Sequence, residues 1–169
     1  METRKAEKIA ALATAAVTLA VSLLPLHDIA AWGIGPQCTL FNRLTYHFIH
    51  ANIFHAVLNA WCFVAVVFVY RITRWHLIAA YIIASSVPCG LLAHISSFTP
   101  TVGLSGIVFA LFGSVSFQVK RRLYWQSWML AFLLIGIAVP NCNAFLHIWC
   151  YVLGLGVALL NKPIAVCRR

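Results

Sequence analysis

The chain has 169 residues, 63% of them hydrophobic and only 9% charged, and its mean hydropathy is +0.92. That balance excludes a soluble domain with a solvated surface. The net charge of +9 comes from 12 basic and 3 acidic residues; these form no patch interleaved with stacking aromatics, which argues against nucleic-acid binding.

Apolar stretches fall at about 9–25, 49–70, 75–96, 103–119, 124–140 and 144–161, bounded by basic, Pro or Asn residues. At roughly 20 residues per span, six helices leave short loops and no second domain, so 1–169 reads as one all-α membrane domain. The first stretch follows Arg4, Lys5 and Lys8 like a signal peptide, but its apolar run is longer than the usual h-region of about 7–15 residues. It reads as a retained helix.

Lys and Arg collect on the cytoplasmic side of short loops. Arg4, Lys5 and Lys8 precede the first helix, Arg71 and Arg74 join the second and third, and Lys120, Arg121 and Arg122 join the fourth and fifth. Lys162, Arg168 and Arg169 end the chain; only Arg43 falls on the other side. Six spans with both termini cytoplasmic satisfy this pattern, and anionic headgroups of the lipid bilayer are the ordinary partners of such charges.

Polar side chains inside hydrocarbon are costly and are functional candidates by default. With a rise of about 1.5 Å per residue, their level can be read from the basic residues. Ser105 precedes Lys120 by 15 residues and His147 precedes Lys162 by 15, so each stands about 22 Å up. Asn59 and His55 precede Arg71 by 12 and 16 residues, or about 18 and 24 Å. Three helices thus bring four polar groups to one level of a core about 30 Å thick.

The fourth stretch, from Ser105 to Gln118, is too short to cross alone. Residues Ser96 to Leu104, rich in Pro, Gly and hydroxyls, read as a loop dipping towards Ser105; such backbone is tolerated only beside protein or a water-filled cavity. Gly103-Leu104-Ser105-Gly106 puts a serine at a helix N-terminus, where free N–H groups can face a developing anion. The bland alternative is close helix packing through small residues such as Gly106 and Gly113. His147 opens the sixth helix with Gly154 two turns later on the same face, allowing approach to the fourth; it can serve as general base to a serine or merely cap its helix. His55 and Asn59, at i and i+4, share a face and can donate to an oxyanion or simply glue helices together. Phe109, one turn after Ser105, can lie under the imidazole or just pack.

The segments HANIFHAVLN, GLSG, FALFG and HIWCYVLG, in that order, resemble the rhomboid intramembrane serine proteases from about residue 36 to 160. The resemblance implies a six-transmembrane-helix bundle around a cavity opening outward, with loop 1 partly in the membrane and the fifth helix as substrate gate. It implies Ser105 as nucleophile and His147 as base, with an oxyanion site from His55, Asn59 and the Ser105 N–H. Gly103, Gly106, Phe109, His50 and Gly154 are the supporting residues, and the implied partners are single-span transmembrane protein substrates. Departures are Phe109 where many members have Tyr, Cys150 where many have Gly, which sets the fourth and sixth helices slightly further apart, and Asn42-Arg43 where a Trp-Arg pair is common, so that only Arg43 carries over, as a structural element.

Two rivals stand beside this reading. One is an inactive rhomboid-like protein that binds transmembrane helices, against which the joint presence of Ser105, His147, His55 and Asn59 argues. The other is a metal or haem protein, suggested by seven histidines, among them His47 and His94; no zinc motif with a carboxylate base accompanies them, and no cofactor is expected. The acids Glu2, Glu7 and Asp28 lie outside the spans or at their edge. Cys38 and Cys142 share the outer side and are a candidate disulfide, Cys62, Cys89 and Cys150 read as packing residues, and Cys167 as cytoplasmic. The compact form suits a bacterial plasma membrane.

Overall fold

The computed structural model describes residues 3–25, 28–90, 100–139 and 142–161. The expected roles of His94, Ser96–Thr99, Lys162, Cys167, Arg168 and Arg169 lie outside these residues. Seven α-helices are described: α1 (Thr3–Ser22), α2 (Leu40–Thr45), α3 (Ile53–Val69), α4 (Arg74–Ser85), α5 (Ser105–Ser114), α6 (Arg122–Ala138) and α7 (Ala144–Leu160). Short 3-10 turns cover Ile29–Trp32 and Tyr46–Phe48.

The helix starts follow local chemistry. Thr39 accepts the Asn42 N–H to open α2, Asn52 accepts the His55 N–H to open α3, and Asn143 accepts the Leu146 N–H to open α7; each satisfies an N–H that has no intrahelical partner. At α4, the buried Glu7 of α1 accepts the Arg74 N–H at 3.2 Å. A carboxylate at a helix start is favoured by the helix dipole, so the acid of α1 ties two helices together.

α5, the fourth of the expected spans, is central. α5 packs most extensively on α7, and also on α4 and α3, while α1 lies on α3 and α6 packs chiefly on α7. Leu104, Ile107, Val108 and Leu111 meet Phe63, Ala84, Leu146 and Cys150 in one buried cluster. α5 and α7 touch backbone to backbone: a Cβ on Gly154 would collide with Ala110, and one on Gly113 with Tyr151 and Leu155. Cys150 is fully buried in the same seam. At Gly154, one turn beyond Cys150, the two backbones are in contact because Gly113 and Gly154 lack the side chains that would separate the helices.

Phe54, Trp61, Leu123, Ile137 and Leu160 are more than half exposed, an apolar exterior far beyond the scattered residues of a soluble surface. Among the described residues no single helix is long and apolar enough to cross a membrane; the bent pair Leu40–Phe48 and Ile53–Val69, at 86°, passes together, and α5 and α7 are shorter apolar helices.

Several helices are therefore shorter than the sequence suggested. The stretch at 75–96 breaks after Ser85, where Ser86 returns its N–H to Ile82 and Ile83 and Pro88 disfavours helical backbone before it. The stretch at 103–119 is helical only over Ser105–Ser114, because Ser116 and Gln118 turn back on Gly113 and Val115.

Candidate active site

Ser105 is the first residue of α5 and His147 lies in the first turn of α7. Their side chains meet, His147 Nε2 to Ser105 Oγ at 2.9 Å. The Phe109 ring stacks on the imidazole, with centroids 4.3 Å apart and planes 18° from parallel. On the other edge of the ring, the Cys142 Sγ is 3.7 Å from Nδ1. In the tautomer whose Nε2 accepts the serine proton, Nδ1 carries the hydrogen and donates to that sulfur, a weak acceptor. The imidazole is thus held on one face and one edge.

The approach to Ser105 is irregular backbone held on several sides. Gly33 and Ile34 pair with Pro100 and Thr101: Ile34 and Thr101 exchange both N–H···O bonds at 2.9 Å, and a Cβ on Gly33 would overlap Pro100. The Gly103 N–H donates to the Tyr46 carbonyl at 3.0 Å, and the Leu104 N–H to His50 Nε2 at 3.2 Å. Gly103 has φ +125°, a conformation that favours glycine. The first bond within α5 joins the Val108 N–H to the Leu104 carbonyl, so the N–H groups of Ser105, Gly106 and Ile107 precede the helix's own ladder. They are donors at the positive end of a helix.

α3 faces this turn. His55 Cε1 and Asn59 Nδ2 lie 3.1 and 3.5 Å from where a Cβ on Gly103 would stand. Asn59 is buried, and its Nδ2 has no hydrogen-bond partner. A buried amide without a partner costs about 1–3 kcal/mol, so this N–H₂ is a donor in reserve. The His50 and His55 rings contact edge to face with centroids 5.0 Å apart. Gly106 lets Leu146, the Tyr46 hydroxyl and Ala84 close in, each 3.1–3.3 Å from the position of a Cβ.

The sequence reading missed two supports, Tyr46 and Asn143, and gave a third, Arg43, no partner. The buried Tyr46 donates its hydroxyl to the Ala84 carbonyl at 2.9 Å while its own carbonyl holds Gly103. Arg43, carried over only as a structural element, donates through Nη1 to the Val87 carbonyl at 2.8 Å. Asn143 both opens α7 and donates through Nδ2 to Thr101 Oγ1 at 2.7 Å, joining the histidine's helix to the serine's loop. Of the two that were missed, only Asn143 carried a signal, as an Asn before an apolar run.

Cys38 does not approach Cys142. Its sulfur lies beside that of Cys89, because the Gly35–Cys38 turn directs it to the segment after α4, while Cys142 faces His147. Among the described residues, no group of three His, Cys, Asp or Glu side chains is placed to hold a metal ion.

As chemistry, the arrangement couples a hydroxyl to an imidazole and surrounds them with uncommitted N–H donors, the parts from which acyl transfer is built. No curated protein and no solved structure matches the chain at a significant level. The Rhomboid domain profile matches residues 37–165, a span that contains Tyr46, His50, Asn59, Ser105 and His147 and most of the chain. The chain therefore belongs to the rhomboid family of integral membrane proteins.

Proposed function

We propose that the chain is an intramembrane serine endopeptidase that hydrolyses peptide bonds of single-span membrane proteins through Ser105 and His147. The observation that carries the reading is the 2.9 Å contact between His147 Nε2 and Ser105 Oγ on the Phe109 platform. His147 takes the Ser105 proton as Oγ attacks the scissile carbonyl carbon, then gives it to the leaving amine as the C–N bond breaks. Water, deprotonated by the same imidazole, releases the acyl group from Oγ. The oxyanion is met by the Ser105 N–H, the Asn59 amide and a ring N–H of His55. Gly103 keeps the space between α3 and Ser105 open, His50 and Tyr46 hold the turn, and Gly154 sets the distance between α5 and α7.

In this reading the chain is a single domain, 1–169, with six spans and both termini in the cytoplasm of a bacterial plasma membrane. The grouping of Arg71, Arg74, Lys120, Arg121 and Arg122 in the two turns furthest along α3 and α5 from the serine supports that orientation. Of the spanning helices α3 to α7, all fall short of the core thickness, α5 by the most, since 10 residues rise only about 15 Å; Pro100–Leu104 supplies the rest of the crossing as largely buried, hydrogen-bonded loop. α6, packed chiefly on α7, is the element free to tilt and admit a substrate helix.

The test is cleavage of a single-span protein with helix-breaking residues near the outer face, reconstituted with the purified chain in bilayers, the products being mapped by mass spectrometry. A protease yields two fragments from one bond; a helix-binding relative retains the substrate intact. Asn59→Ala should lower kcat about 10²- to 10³-fold with little change in KM, as loss of one oxyanion donor does. An equal fall in substrate binding would instead mark Asn59 as helix glue.

A further inference from the structure

Cys38 and Cys89 are 51 residues apart, yet their Sγ atoms stand 2.8 Å from one another, within about 1 Å of the bonded separation of a disulfide. Both are free thiols. The segments that carry them are already pinned: the Cys38 N–H closes a turn on the Gly35 carbonyl, and the Val87 carbonyl accepts both Arg43 Nη1 and the Cys89 thiol. Bond formation therefore needs little backbone movement. Cys38 is half-buried and Cys89 is 2% exposed, so only the first can be reached by an external reagent.

We propose that Cys38 and Cys89 form a covalent modification site, a disulfide that closes loop 1, the chain between α1 and α3, onto the segment after α4. The proposal rests on the orientation given above, which places this end of the bundle, with Ser105, towards an oxidising compartment; it does not require peptide hydrolysis. The oxidant is a protein disulfide of that compartment. Cys38 loses its proton and attacks one sulfur of the donor, forming a mixed disulfide and expelling one donor thiolate. Cys89 then loses its proton and attacks Cys38 Sγ, expelling the second. Two protein thiols are oxidised, one donor disulfide is reduced to a dithiol, and the two protons pass to the donor thiolates.

The bond would reinforce the contacts that position the nucleophile. Loop 1 carries Tyr46 and His50, which hold Gly103 and Leu104, and the segment after Cys89 leads to Pro100 and that same turn. Loop 1 also touches α4 through Tyr46 to Ala84, Tyr81 to Leu44 and His47 to Ser85. Oxidation adds a covalent link beside three hydrogen bonds.

The experiment blocks accessible thiols with N-ethylmaleimide in intact cells making the full chain, then unfolds the protein in denaturant with the reagent still present, so that buried free thiols are alkylated as well. Non-reducing digestion and mass spectrometry then follow, for the wild type and for Cys38→Ser, Cys89→Ser, Cys142→Ser and Ser105→Ala. A Cys38–Cys89 peptide is expected in the wild type, Cys142→Ser and Ser105→Ala, with Cys62, Cys142 and Cys150 carrying maleimide. Reduction should lower the wild-type Tm by roughly 5–15 °C, the effect of opening a long loop in a chain of this size, and leave the Tm of Cys38→Ser and Cys89→Ser unchanged. Maleimide on both Cys38 and Cys89 in the wild type, or a Cys38–Cys142 peptide, would overturn the proposal. The Ser105→Ala arm separates the two readings: a cross-linked variant that still cleaves substrate ends the protease reading alone, and an inactive variant without the cross-link ends this one alone.

Discussion

Ser105→Ala should leave the bundle folded and reduce substrate cleavage by about 10⁴-fold or more, because it removes the atom that forms the acyl intermediate. Ser105 is only partly buried and its hydroxyl has one partner of note, His147 Nε2, so little packing is lost and the Tm should move by no more than a few degrees. His147→Ala should cost a similar factor, and the double variant little more, since the two groups act as a unit. The check is the initial rate of product formation in bilayers alongside a melting curve for each variant. A strictly additive loss in the double variant would mean that the two side chains act independently.

Gly154→Ala should impair both stability and rate, although it adds a single methyl. That methyl would enter the backbone of Ala110, so α7 must move off α5, and overpacking of this kind costs about 1–3 kcal/mol. The movement is carried along a rigid helix to His147, two turns away. A displacement of about 1 Å at reacting groups can cost 10²-fold in rate. Gly156→Ala is the control, because a Cβ there meets nothing within 4 Å; alanine in a helix is favoured over glycine by about 0.5–1 kcal/mol, so this variant should be neutral or slightly stabilised. Equal behaviour of the two variants in melting and cleavage would show that the α5–α7 contact does not govern the site.

The parts of this arrangement legible in the sequence were those fixed by helical geometry. Counting back from the basic residues put Ser105, His147, His55 and Asn59 near one level, since rise per residue is constant, and the 3.6-residue repeat put Phe109 under Ser105 and Gly154 below His147. What stayed hidden depends on loops, which have no period to count. Tyr46 holds Gly103 and Ala84 from a 3-10 turn, His50 takes the Leu104 N–H, and Asn143 reaches Thr101 across 42 residues. Cys38 was assigned the wrong neighbour for the same reason: membrane side was readable, but the direction of the Gly35–Cys38 turn was not. Apolar composition also ran on past the ends of α4 and α5, where Pro88 and the Ser116–Gln118 turns stop the helices.

Labelling by a serine-directed fluorophosphonate tests the central claim most directly, because the reagent bonds only to a hydroxyl whose proton has an acceptor in place. The adduct should map to Ser105 in the wild type, disappear in Ser105→Ala and fall at least about 10²-fold in His147→Ala, while Gly156→Ala labels normally. Undiminished labelling in Ser105→Ala, or labelling of Ser105 at the wild-type rate when His147 is absent, would contradict the account.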